Sequence, residues 1–224
     1  MTDELLIVGT NHFDPKGPKR LEKIIGLYKP DWVVVEATQA TYQSALSGHT
    51  QIMSLSSAQI DEMKAQIAAT GKKINDKTLF MVLKTAGYEC WTPASISGLE
   101  VIPGDHAVSE QMGTDLSQKV IKELVDPRSS LNLYQDPSQW QRNMDRMYFT
   151  PSRLKFENDE NRNPSLAEAA KKSGKGMIVT GLHHAVMVGK YGLLNLLHER
   201  HPKYIRLVFA DEIKGGNLSP YYNK

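Results

Sequence analysis

The chain has 224 residues, of which 40% are hydrophobic and 23% charged, with a formal net charge of +2. That length and composition fit one globular domain and exclude a disordered chain. A near-zero charge with no long Lys or Arg run excludes an electrostatic nucleic-acid binder, and a single cysteine, Cys90, excludes an internal disulfide framework or a Cys-based zinc site.

Met1–Glu4 carries neither a basic nor a long apolar segment, so no signal peptide is expected. No apolar stretch approaches the roughly 20 residues of a membrane span. The expectation is a cytoplasmic protein without membrane or nucleic-acid partners. Leu5–Val8 is a continuous apolar run closing on Gly9-Thr10-Asn11-His12, the pattern of a strand buried on both faces. Leu21, Ile24, Ile25 and Tyr28 follow at helical spacing, and Lys29-Pro30-Asp31 stops that helix. Trp32–Val35 predicts a second buried strand, ending on Glu36. Strand, helix and strand in about 30 residues make a βαβ unit with parallel strands.

Residues 38–90 read as mostly helical. Tyr42 and Leu46 mark one helix, Ile60, Met63 and Ile67 a second, and Leu79 to Ala86 a third. This block is an insertion after the second strand and serves as a cap or a packing layer. Cys90, in Tyr88-Glu89-Cys90-Trp91, reads as a small packed hydrophobe. Leu99–Ile102 predicts a third strand ending in Pro103-Gly104-Asp105-His106, and Leu116, Val120, Ile121, Leu124 and Val125 predict a helix. Residues 126–140 read as a loop, followed by a polar helical stretch to Thr150-Pro151. The charged segment from Phe156 to Asn163 leads to Asn163 as an N-cap, with Pro164 as first helical residue. Met177–Thr180 predicts a fourth strand closing on Gly181-Leu182-His183-His184, then one helix from Val186 to Leu197, and Tyr204–Ala210 a last strand. The expected fold is α/β, with a mostly parallel or mixed central sheet flanked by helices. One domain spans residues 1–212, with the insertion at 38–90 and a flexible tail at 213–224.

His12, Glu36, Asp105 and His184 each follow a predicted strand. In an open parallel sheet, ligands bind outside the carboxyl ends of the strands. Two Gly-x-x-His turns therefore bring His12 and His184 to one edge, with Glu36 between them in sequence. Gly9 and Gly181 allow close backbone approach to a bound group. The second turn also opens a helix, whose free N–H groups favour an anion. Arg162 suits a substrate carboxylate or a pair with Glu36. His183 supports the site or faces away, and His49, His198 and His201 read as surface residues.

These residues carry a family resemblance. Leu6-Ile7-Val8-Gly9-Thr10-Asn11-His12, a helix, and Pro30-Asp31-Trp32-Val33-Val34-Val35-Glu36 resemble the opening of a TraB-family domain. Arg162-Asn163 and Val179-Thr180-Gly181-Leu182-His183-His184 resemble its later motifs, so the likeness covers about residues 4–198. Asn161 precedes Arg162 here, with Glu160 one position off the family's Glu-Arg-Asn-type motif. The family groups TraB, PrgY, GumN-like and TIKI proteins, and its wider fold is similar to erythromycin esterase and ChaN-like proteins. TIKI proteins are divalent-metal-dependent peptidases. The resemblance thus implies a metal-dependent, peptidase-like hydrolase holding Mn²⁺, Co²⁺ or Zn²⁺ on His12, Glu36 and His184. Asp105 would complete the shell or act as base, and Arg162 would hold a substrate carboxylate or oxyanion. The esterase relatives imply a metal-independent His/Glu hydrolase of small esters instead. A non-catalytic peptide- or anion-binding domain is the third reading, and a homodimer is compatible with each.

Overall fold

Five short segments become strands: β1 (Leu5–Thr10), β2 (Trp32–Val35), β3 (Glu100–Pro103), β4 (Gly176–Gly181) and β5 (Lys203–Arg206). They come from a computed structural model that describes residues 4–106, 116–126, 133–150, 159–187 and 189–224. All pairings are parallel, in the order β3-β2-β4-β1-β5. The three central strands are buried along their whole length, which is why they read as unbroken apolar runs rather than alternating ones. β4 comes late in the chain but lies between β1 and β2, so Val179 pairs with both Val8 and Val35. This insertion gathers three strand ends: Thr10 stands opposite Gly181, and Val35 opposite Val179.

Helix α1 (Gly17–Tyr28) buries Leu21, Ile24, Ile25 and Tyr28 and stops at Lys29, in the left-handed region with φ 53°. The insertion holds four helices rather than three: α2 (Gln39–Met53), α3 (Ser57–Ala69), α4 (Asp76–Thr85) and α5 (Tyr88–Ala94). Thr38, Ser56 and Asn75 cap the first three through their side chains. Gly87, at φ 66°, makes the sharp turn from α4 into α5. Then come α6 (Leu116–Val125), α7 (Pro137–Met147), α8 (Asp159–Ala169), α9 (Leu182–Val186) and α10 (Leu193–Leu196).

Two apolar cores result. The larger joins the sheet to α1, α5 and the C-terminal segments, through residues such as Ile7, Val34, Ile178, Leu21 and Tyr88. The smaller joins Ile52, Ile67, Leu79, Leu83, Leu124, Trp140 and Met144, from α2, α3, α4, α6 and α7. The insertion shares the smaller core with α6 and α7 and sends α5 into the larger one. No described helix is long and apolar enough to cross a membrane.

Several expectations are corrected. Pro164 lies inside α8 rather than at its start, and Asn163 is not an N-cap but a buried residue of that helix. The single helix expected after β4 is two short ones; Gly189 has φ 107°, and Gly192 sits in extended backbone ahead of α10. The last strand stops at Arg206, and Leu207–Asp211 tighten into a 3-10 turn that buries Leu207 and Phe209. The loop expected over 126–140 is shorter, because Asp136 and Gln139 form a reciprocal cap that starts α7 at Pro137. Residues 127–132 of that loop, and 156–158 of the charged segment, lie outside the described residues. The tail expected to be loose is docked: Ile213 and Leu218 join the main core, and the Asn223 N–H donates to the Tyr204 carbonyl at 2.7 Å. His49 is half-buried, its ring stacked 4.1 Å from that of Trp91.

Candidate active site at the carboxyl edge of the sheet

Glu36 follows β2 directly, and its N–H continues the ladder to Val179. Its side chain is 6% exposed, and both oxygens are occupied. Oε2 accepts the Thr180 hydroxyl at 2.6 Å and the Gly181 N–H at 2.7 Å. Oε1 accepts the Arg162 guanidinium and faces His184 Nε2 at 3.3 Å. Burial alone would raise its pKa. His184, Arg162 and His12 reverse that and hold the carboxyl well below its ordinary range. Arg162 also donates from Nε to Asp105 Oδ2 at 2.7 Å, so one guanidinium joins the ends of β2 and β3. The pair with Glu36 expected for Arg162 is present.

His12 stands on the other side of Gly181. Its Nε2 lies 3.3 Å, and Glu36 Oε2 3.4 Å, from the point a Cβ on Gly181 would occupy, so a side chain there would crowd both. His12 Nδ1 is 2.9 Å from Glu89 Oε1, and its side chain is 53% exposed. Removal from water works against the imidazolium, but the charge and hydrogen bond of Glu89, then Glu36 and Glu123, outweigh it and raise the pKa from 6.5 to about 9. Glu89 itself is anchored by Thr10, whose hydroxyl lies 3.2 Å from Oε1 and 3.0 Å from the Thr180 carbonyl.

His184 is placed differently. It is 4% exposed and lies behind Glu36. Its Nδ1 is 2.8 Å from Asn163 Oδ1, and Asn163 uses its amide nitrogen on the Tyr191 carbonyl at 2.8 Å. That contact fixes which end of the amide is oxygen, so Nδ1 of His184 faces the Asn163 oxygen and Nε2 faces Glu36. His183 is half-buried, edge-on to His184 at 5.7 Å. Gly9 lies under Leu182 and Ala185, where its role is close strand–helix packing, and the Gly181 N–H is taken by Glu36.

A cavity of about 360 Å³ opens over this edge. His12, Glu36, Thr180, Gly181, Asp105 and Arg162 form its sheet-side wall. Ala45, Ala86, Glu89, Cys90, Val120 and Glu123, from the helical insertion and α6, form the facing wall. Four of the five expected residues, His12, Glu36, Asp105 and Arg162, thus meet at one cavity, and His184 supports it from behind. Glu89 and Glu123 went unread in the sequence. No local pattern marks either, since Glu89 meets a histidine 77 positions away.

His12, Glu36 and His184 do not fit a metal as a set. Both Glu36 oxygens already hold donors, one of them a competing cation, and His184 Nε2 is turned toward that same carboxylate. Among the described residues no group of three His, Cys, Asp or Glu side chains is arranged to hold an ion. No protein-family model, curated protein or solved structure matches the chain.

Proposed function

We propose that this chain is a hydrolase of small esters or short peptides, in which His12, oriented by Glu89, activates water. One observation carries the reading: His12 is held through Nδ1 by a buried carboxylate while Nε2 reaches the cavity floor. A carboxylate that fixes one ring nitrogen leaves the other as a directed base. Water gives its proton to Nε2 as its oxygen bonds to the substrate carbonyl carbon. Arg162, on the same wall, offsets the charge that develops on the carbonyl oxygen. Collapse breaks the bond to the alcohol or amine, which takes the proton back from His12. Glu36 has its oxygens filled with donors, so its task is to fix Arg162 and the Gly181 turn rather than to move protons. The cavity volume suits a compact ligand. The resemblance to TraB-family and esterase proteins points to the same reaction class.

The test is turnover of a panel of small esters and short peptides by the full chain, with and without EDTA, beside His12→Ala and Glu89→Gln. Hydrolysis that survives chelation and is lost in His12→Ala is expected. With a base whose pKa is raised to about 9, the rate climbs with pH toward that value. Parent-level turnover by His12→Ala sinks the proposal, as does no turnover of any substrate. Activity lost on chelation and restored by Mn²⁺ would return the reaction to the metal-dependent alternative.

A further inference from the structure

Beneath the His12 turn lies a second polar cluster that the hydrolytic step does not use. Asp14 is fully buried, and its carboxylate accepts four donors. Oδ1 takes the Lys16 N–H at 2.9 Å and the Gln141 amide at 3.1 Å. Oδ2 takes Arg20 at 2.7 Å and the Tyr148 hydroxyl at 2.9 Å. Arg20, 3% exposed, reaches on to Asp145 on α7 and Asp211 after β5. Such a network costs too much to be left half-satisfied, and here each named member has a partner.

Its upper edge is the residue before His12. The Asn11 N–H donates to the Tyr148 hydroxyl at 3.2 Å. The Asn11 carbonyl accepts the Tyr88 hydroxyl at 3.2 Å and the Asp14 N–H at 2.9 Å. Both phenols are fully buried, and burial holds both well above their ordinary range, so they remain neutral donors. Tyr88 is fixed in turn by packing against the start of α1, where a Cβ on Gly17 would come within 2.3 Å of its ring. It is also the immediate neighbour of Glu89, the partner of His12.

We infer that Tyr148 and Tyr88 are positioning residues for His12: they clamp Asn11 from its amide and carbonyl sides and so set the angle at which the His12 ring meets Glu89 and the cavity. A site residue on a turn is held to tolerance only when the layer behind it is fixed, and a misplacement of about 1 Å can cost on the order of 100-fold in rate. The inference rests on the reading of His12 as the base, but its test does not need turnover.

The experiment is ¹H–¹⁵N NMR of the histidine rings in the parent, Tyr148→Phe and Tyr88→Phe, with His12 assigned by its absence in His12→Gln. The expected result is that the His12 ring signals shift or broaden in both variants while those of His198 and His201 stay in place. Where the substrate panel gives turnover, kcat falls about tenfold with KM within about twofold. His12 signals that superimpose on the parent's in a folded variant overturn the inference and leave the tyrosines a purely structural role. If Tyr148→Phe does not fold, Tyr88→Phe decides alone, since it removes only one acceptor contact of Asn11. A shifted His12 ring in a chain that hydrolyses nothing would retire the hydrolase reading and keep the clamp.

Discussion

The turns Gly9–His12 and Gly181–His184 share the Gly-x-x-His spacing at the ends of neighbouring strands, yet they deliver their histidines to opposite places. His12 is half exposed in the cavity with a carboxylate behind it, whereas the His184 side chain is 5% exposed and supports Glu36 from beneath. The cause is the element that succeeds each strand. After β1 the chain makes a turn, closed by the Asp14 N–H on the Asn11 carbonyl, and α1 begins only at Gly17. After β4, helix α9 begins at once at Leu182 and packs Leu182 and Ala185 over Gly9. A helix carries its side chains round by about 100° per residue, so the same offset points elsewhere. Spacing from a strand end sets the neighbourhood of a side chain, and the next element sets its direction.

Substitutions can break this contrast. His12→Ala is expected to lower kcat/KM by about 10²- to 10⁴-fold, as measured by steady-state rates on a chain whose melting curve shows it folded. Arg162→Met leaves two buried carboxylates, Glu36 and Asp105, without their shared cation. A loss of about 3–5 kcal/mol in denaturant unfolding is expected, and an unfolding midpoint equal to the parent's would show that the carboxylates do not depend on it. His184→Ala removes the ring that meets Glu36 and Asn163 and opens a buried space, for a loss of about 2 kcal/mol, or about 4–8 °C in Tm. Should His184→Ala instead melt like the parent and lose only activity, the two histidines would be alike after all.

The smallest effect is in the pH dependence of stability. The His12 pKa is raised in the folded chain, so its contribution is complete below pH 6.5 and disappears as pH rises through about 9. The stability gap between the parent and His12→Gln should therefore narrow across that window, as followed by urea unfolding at successive pH values. A gap that widens would mean that His12 folds in its neutral form.

Much of the fold was legible in the residues. The apolar runs at Leu5, Trp32 and Met177 became strands because chains buried on both faces of a sheet must be apolar throughout, and the shorter run at Leu99 became the partly exposed edge strand β3. The parallel α/β class came from the alternation of strand and helix. His12, Glu36, Asp105 and Arg162 were legible as strand-end or helix residues of one edge. Glu89 was not, because nothing local distinguishes a helical glutamate that meets a histidine 77 positions away. The Asp14–Arg20–Tyr148 cluster was likewise hidden, since its members come from α1, the end of α7 and the turn after β1.

What the sequence determined by itself was therefore the set of elements and the edge on which polar residues collect, since both depend on periodicity and on the chemistry of short segments. Only the tertiary structure decided that β4 enters between β1 and β2, that His12 faces the cavity and His184 does not, and that Glu89 is the partner of His12. Those outcomes depend on strand order and on contacts between residues far apart in the chain, and no local pattern specifies them.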